Sequence, residues 1–115
     1  MLSSKLIPIL LNSDLFEIIL ACCEKRLAET EIHWLDKKSL CIVVCSNGYP
    51  DKFKKNIEIE KIHQLKFDNN EFLFHAGTLE RDGKVFSVGG RVLNFVSLED
   101  DFRYARENII KKLRN

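Results

Sequence analysis

The residues with the clearest chemical potential are Gly89, Gly90 and Arg91, which stand between two strand-like runs. Two consecutive glycines can leave backbone N–H groups exposed, and an arginine beside them adds a planar guanidinium. Together these donors suit an anion such as a phosphate or a carboxylate. A glycine pair between strands is more often a plain bulge or turn, so the pattern leaves both interpretations open.

A histidine, His75, lies inside the apolar run Phe72–Ala76, which predicts a short strand. On the residues alone, we expect a hydrogen-bonded histidine of the core rather than a general base. The sequence has no glycine-rich phosphate loop, no evident Ser-His-Asp set and no prominent carboxylate pair. Its three histidines and four cysteines are too scattered to indicate a zinc site. We therefore predict no catalytic residue and no metal site in this chain.

Two helices are predicted, one near each end of the sequence. Residues 14–29 carry a wide apolar face at helical spacing, and Asp14 with Glu17 has the form of a capping box. The width of that face predicts a well-packed helix. Residues 99–112 form the closing helix, with acidic residues at its start and basic residues at its end.

The middle of the sequence predicts strands joined by short turns. Leu40–Cys45 is a continuous apolar run, and Ser46–Asp51 ends it with strong turn residues. Asp82-Gly83 lies within Thr78–Phe86 and indicates a hairpin, and residues 91–97 alternate as a strand does. Residues 51–70 are polar and predicted to be mostly irregular. The order predicts an α+β fold, a mainly antiparallel sheet with hairpins flanked by an amino-terminal and a carboxy-terminal helix.

Length and composition narrow the class of protein. A chain of 115 residues is expected to form a single domain, 1–115. Its net charge of +1 gives no general attraction to nucleic acid or to an anionic membrane, and no run of 18 apolar residues exists. The apolar stretch at residues 6–11 is interrupted too early for a signal peptide. The cysteines are expected to be reduced thiols, which fits a cytoplasmic protein.

Three glycine-centred segments occur in a specific order: Gly48-Tyr49-Pro50, the Phe-His-Ala-Gly-Thr run at 74–78, and the Gly-Gly-Arg-Val-Leu run at 89–93. In this order they resemble the carboxy-terminal domain of phosphoribosylamine–glycine ligase, an ATP-grasp enzyme of purine biosynthesis. The resemblance extends from about residue 10 to residue 113. A related ATP-grasp carboxylase has a similar α+β domain, but His-Ala-Gly-Thr followed by Gly-Gly-Arg favours the ligase.

The resemblance implies an activity for the complete enzyme. That enzyme joins glycine to 5-phosphoribosylamine, using ATP and Mg or Mn, by way of an acyl phosphate of glycine. The resemblance also implies substrate-binding roles here: Arg91 with the Gly89 and Gly90 backbone would grip a substrate anion such as a sugar phosphate. His75 and Thr78 would support the pocket from the neighbouring strand.

The departures from the family pattern also matter. Asn47 stands where the family usually has glycine, and Ser87-Val88 stands where it usually has Thr-Asn. The amino-terminal and ATP-grasp domains, with their ATP and metal sites, are not in this sequence, so we expect no catalysis from the chain alone.

Those missing domains are the expected partner. We expect them to dock on an exposed apolar patch with these members: Leu2, Leu6, Ile7, Ile9 and Leu10. The alternative is a non-catalytic remnant that acts as a binding or structural module.

Overall fold

The computed structural model describes residues 9–114, which form two helices, two 3₁₀ turns and six strands. In chain order the elements are α1 (Leu15–Cys23), η1 (Leu27–Glu29), β1 (Lys38–Cys45), β2 (Ile57–Glu58), η2 (Ile62–Gln64), β3 (Glu71–His75), β4 (Thr78–Arg81), β5 (Lys84–Ser87), β6 (Arg91–Glu99) and α2 (Phe102–Leu113). The strands make two antiparallel sheets, ordered β1-β6-β3 and β2-β5-β4. The α+β class with flanking helices is confirmed.

The first sheet is built around β6, whose residues from Val92 to Leu98 are all buried. Phe95 pairs with Ile42 of β1 on one side and with Leu73 of β3 on the other. Helix α2 packs across β6 and β1. Because both faces of β6 are covered, its sequence can be apolar at successive positions instead of alternating with polar ones.

The closing helix α2 begins at Phe102, three residues later than predicted, because β6 continues to Glu99. Asp101 caps it, accepting a hydrogen bond from the Arg103 N–H at 2.6 Å. Lys112, in its last turn, forms an ion pair of 2.9 Å with Glu71 at the start of β3. This pair fastens the end of α2 to the edge strand of the first sheet.

The second sheet contains the predicted hairpin of β4 and β5. Asp82 and Gly83 both have left-handed backbones, with φ of +52° and +72°, as a two-residue type I′ turn requires. The two-residue strand β2 pairs with the other side of β5. As predicted, most of residues 51–70 is irregular.

Helix α1 differs from its prediction in both length and packing. It ends at Cys23 because Lys25 adopts a left-handed backbone, and the Arg26 N–H then reaches the Ala21 carbonyl at 3.0 Å. This is a Schellman ending without glycine, so the sequence carried no stop signal. The predicted close packing is wrong for this chain, because Ala21 is the one fully buried residue of α1. Periodicity identifies an apolar face but not what covers it.

Several smaller expectations can be checked against residues 9–114. None of the four cysteines is in a disulfide, as predicted. No helix in the described part of the chain is long and apolar enough to cross a membrane. Of the predicted docking patch, Leu2, Leu6 and Ile7 lie outside the described residues, and Ile9 and Leu10 are partly buried.

Candidate functional site

The two segments that contain the predicted site residues meet through their backbones. The Gly77 N–H donates to the Arg91 carbonyl at 2.9 Å. The Gly77 carbonyl in turn accepts from Val88 at 2.8 Å and from Gly89 at 3.3 Å. We call residues 75–78, residues 87–91 and Ser46 the glycine junction. It connects the two sheets, since β3 leads into β4 through one segment and β5 into β6 through the other.

Gly77 is required by the close approach of these backbones. A Cβ atom on Gly77 would lie 2.6 Å from the Arg91 carbonyl oxygen and 2.7 Å from the Gly89 Cα. Because both neighbours are main-chain atoms, no side-chain rotation could relieve the contact. The pairing of β1 with β6 shifts register here, at Cys45 and Arg91. The residue left without a partner by this shift is Val92, and Gly89 and Gly90 form a bend just before β6, as the turn interpretation of the glycine pair expects.

The turn after β1 contributes Ser46 to the junction, which the sequence did not reveal, and places Tyr49 beside it. The Ser46 hydroxyl donates to the Gly89 carbonyl at 2.8 Å, and the Ser46 N–H donates to the Gly90 carbonyl at 2.7 Å. The Tyr49 ring lies directly against the Cα of Gly90. Nothing in the sequence links Ser46 to a glycine 43 positions away, because the contact depends on strand order.

His75 is exposed, so the expectation of a core histidine is wrong. It is the last residue of β3, paired with Leu93, and its ring stands where the sheet ends. Its Nδ1 lies 2.9 Å from the Thr78 hydroxyl oxygen, and either group can be the donor, depending on the tautomer. The pair spans Gly77 and fixes the ring beside the junction.

Arg91 is exposed at the first position of β6. Its guanidinium makes no hydrogen bond or ion pair with another residue in the 9–114 range. The Gly89 N–H, by contrast, is already occupied by the Gly77 carbonyl. The fold thus brings the segment that contains His75 and Thr78 next to the segment that contains Gly89, Gly90 and Arg91.

A cleft of about 780 Å³ adjoins the junction between the two sheets. Its floor is apolar, and Lys52 and Lys54 stand at its rim. Both lysines are exposed. Two residues of the junction, Ser46 and Ser87, also line this cleft. A ligand of mixed apolar and anionic character would find complementary surfaces in this space.

The described residues do not fit a divalent metal. Among residues 9–114 no group of three or more His, Cys, Asp or Glu side chains is placed to hold an ion. Metal-dependent nucleotide sites take Mg²⁺ through carboxylates together with substrate phosphates. No reaction step that passes through ATP or a metal is therefore assigned to this chain.

By its fold the chain is a small α+β domain made of two antiparallel sheets that meet at a glycine junction. A solved structure shares that fold: the crystal structure of phosphoribosylamine–glycine ligase from Thermotoga maritima aligns with a TM-score of 0.59 at 23% identity. The alignment covers 85% of this chain and 24% of that protein.

Sequence comparison then gives the family. The model for the phosphoribosylglycinamide synthetase C domain matches residues 39–115. The phosphoribosylamine–glycine ligase of Caldanaerobacter subterraneus subsp. tengcongensis is 42% identical over 98 residues, which are 85% of this chain and 23% of that enzyme. That of Fusobacterium nucleatum is 36% identical over 108 residues, covering 91% of this chain and 25% of the enzyme. The chain belongs to the phosphoribosylglycinamide synthetase C-domain family, and it spans about a quarter of the length of these ligases.

Proposed function

We propose that the chain acts as the carboxy-terminal domain of a phosphoribosylamine–glycine ligase, the ATP-dependent enzyme that joins glycine to 5-phosphoribosylamine. In this proposal the amino-terminal and ATP-grasp domains are supplied by further polypeptide and bind ATP and Mg or Mn. Family membership supports the general role. The observation that carries the local role is the glycine junction, which gathers all five predicted substrate-binding residues at one place. A cytoplasmic setting fits the four cysteines, none of which is in a disulfide.

In this role the chain binds and orients substrate. The Arg91 guanidinium would hold an anionic group of the ribosylamine substrate by paired charge-assisted hydrogen bonds. The contacts of Gly77 and Ser46 with residues 88–91 would fix the position of Arg91, so less conformational freedom is lost when substrate binds. The bonded pair of His75 and Thr78 would present a polar edge to the same ligand.

The alternative function is a non-catalytic binding or structural module. The cleft beside the junction favours it, because apolar surface and two rim lysines could hold a sugar phosphate without any chemistry. The departures at Asn47 and Ser87-Val88 lie on the lining of this cleft or next to it. A remnant would keep the fold and bind a ligand or a partner without contributing to synthesis.

An assay of glycinamide ribonucleotide synthesis separates the two proposals. The purified chain is tested alone and mixed with the Caldanaerobacter ligase truncated to remove its C domain. The ligase proposal expects activity only in the mixture. No activity in either sample, from a chain shown by circular dichroism to be folded, would favour the non-catalytic module.

The role of Arg91 is tested in the same active mixture. Arg91→Ala should raise the KM for 5-phosphoribosylamine at least about tenfold, since a charge-assisted bond contributes roughly 1.5–3 kcal/mol. The matched control is Arg106→Ala, which removes another exposed arginine, from the middle of α2. Equal kinetics for the two variants would refute the assignment of Arg91.

A further inference from the structure

The most apolar face of helix α1 points away from the rest of the described chain. Leu15, Phe16 and Ile19 are 47%, 67% and 54% exposed. Cys22 and Cys23 are exposed too, three and four positions beyond Ile19, and so continue the same face. We call these five residues the α1 apolar face. Its opposite side is the attached one, since Ala21 is completely buried.

Further exposed apolar residues lie in the segment that pairs with the chain just before α1. Residues 10–12 just before α1 are bonded to residues 33–35, including a bridge between Leu11 and Trp34. Trp34 itself is exposed, and Ile32 beside it is exposed as well. A contiguous set of exposed apolar side chains such as the α1 apolar face is uncommon on an isolated domain and marks an interaction site.

The helix also lies at a boundary of the family. The C-domain model begins at residue 39, well after α1. The alignment with the Fusobacterium ligase covers 91% of the chain, so it extends upstream of residue 39 and includes α1. Helix α1 therefore has a counterpart in the ligase polypeptide but is outside the C-domain model. Among the named elements its most extensive contacts are with η1, and it makes few contacts with the strands of either sheet.

We infer that the α1 apolar face is the docking surface for the remainder of the ligase, the three-quarters of the enzyme that the chain does not span. This inference rests on the proposed function and adds the location of the interface. A boundary helix with an uncovered apolar face suits an interdomain contact between parts of one enzyme. The large, rigid side chain of Phe16 is of the aromatic kind that anchors such contacts.

Thiol reactivity and affinity together test the inference. The probe is the truncated Caldanaerobacter ligase that lacks its C domain. On binding, alkylation of Cys22 and Cys23 by a maleimide should slow, as measured by mass spectrometry of their peptide. The double variant Phe16→Ser/Ile19→Ser should weaken the affinity at least tenfold. The control Tyr104→Ser removes a ring of matching exposure, 66%, from α2 and should leave the affinity unchanged.

The other outcomes overturn the inference in distinguishable ways. If the fragment binds wild type and double variant equally and both thiols stay reactive, the docking surface lies elsewhere and the proposed function survives. If the chain alone sediments as a dimer that the double variant abolishes, a second copy covers the face. If the fragment binds no form of the folded chain, the inference and the proposed partnership both fail.

Discussion

Removing one partner of the ion pair between Lys112 and Glu71 should destabilise the protein strongly, although the pair lies far from the glycine junction. The two side chains are 19% and 6% exposed, and their charged atoms are 2.9 Å apart. Lys112 Nζ also donates to the Lys66 carbonyl at 2.6 Å and lies 5.3 Å from the centre of the Phe67 ring. The Glu71 carboxylate has one other partner among the described residues, the Asp68 N–H at 2.8 Å.

Lys112→Met keeps the aliphatic stem but removes the charge. Breaking a buried pair costs about 3–5 kcal/mol, because the remaining charge is left without compensation. Water can reach the partly exposed Lys112, so we expect a loss at or just below the lower limit of that range, about 2–3 kcal/mol. The lost free energy of unfolding comes from the contact that attaches α2 to β3, the strand that ends at His75.

Urea unfolding followed by circular dichroism measures this loss, provided the slope with denaturant stays constant. The control is Lys84→Met, which removes an exposed ion pair with Glu58 of 3.0 Å and should cost at most about 1 kcal/mol. The double variant Glu71→Leu/Lys112→Met should recover most of the stability, since no unpaired charge remains. Equal losses for Lys112→Met and Lys84→Met would refute the reasoning.

Three further predictions concern backbone contacts and pH. Gly77→Ala should lower the free energy of unfolding in urea by about 1–3 kcal/mol and reduce activity in the reconstituted mixture, since main-chain atoms must move. The control is Gly83→Ala, which has open space around its Cβ but a left-handed backbone. It should reduce stability without affecting activity. Asp101→Ala should cost about 1 kcal/mol in thermal unfolding by removing the cap of α2, and no change would contradict that role. The hydrogen bond from Lys37 lowers the pKa of Asp100 below its usual range. The stabilisation from this pair is therefore present above the usual pKa of an aspartate and is lost as the pH falls through the lowered pKa of Asp100. Asp100→Asn should remove that part of the acid dependence of stability, as measured by unfolding from pH 7 to pH 2.

Local signals in the sequence were enough to predict much of the fold. The hairpin at Asp82-Gly83 was predictable because a type I′ turn needs left-handed residues at two adjacent positions. The strand β6 was predictable from the alternation of residues 91–97, and the start of α2 was misplaced by only three residues. The end of α1 was missed because a lysine took the left-handed position that usually identifies a helix end by its glycine.

The candidate site depended more on long-range contacts. Arg91 and the glycines could be selected by residue type, but the hydrogen bonds of Ser46 arise from the pairing of β1 with β6. His75 is exposed because it is the last residue of β3. Its neighbours in the sequence are apolar, but they do not bury its side chain. The exposure of the α1 apolar face likewise could not be predicted, because periodicity does not show whether the chain supplies a surface that packs against that face.

The most direct test of the account is a chimera in which this chain replaces the C domain of the Caldanaerobacter ligase within one polypeptide. The measurement is glycinamide ribonucleotide formation by the chimera, by the parent and by the parent without its C domain. The account predicts that the chimera regains synthesis that the truncated enzyme lacks, and that Arg91→Ala raises its KM for 5-phosphoribosylamine. A folded chimera no more active than the truncated enzyme would contradict the proposed role.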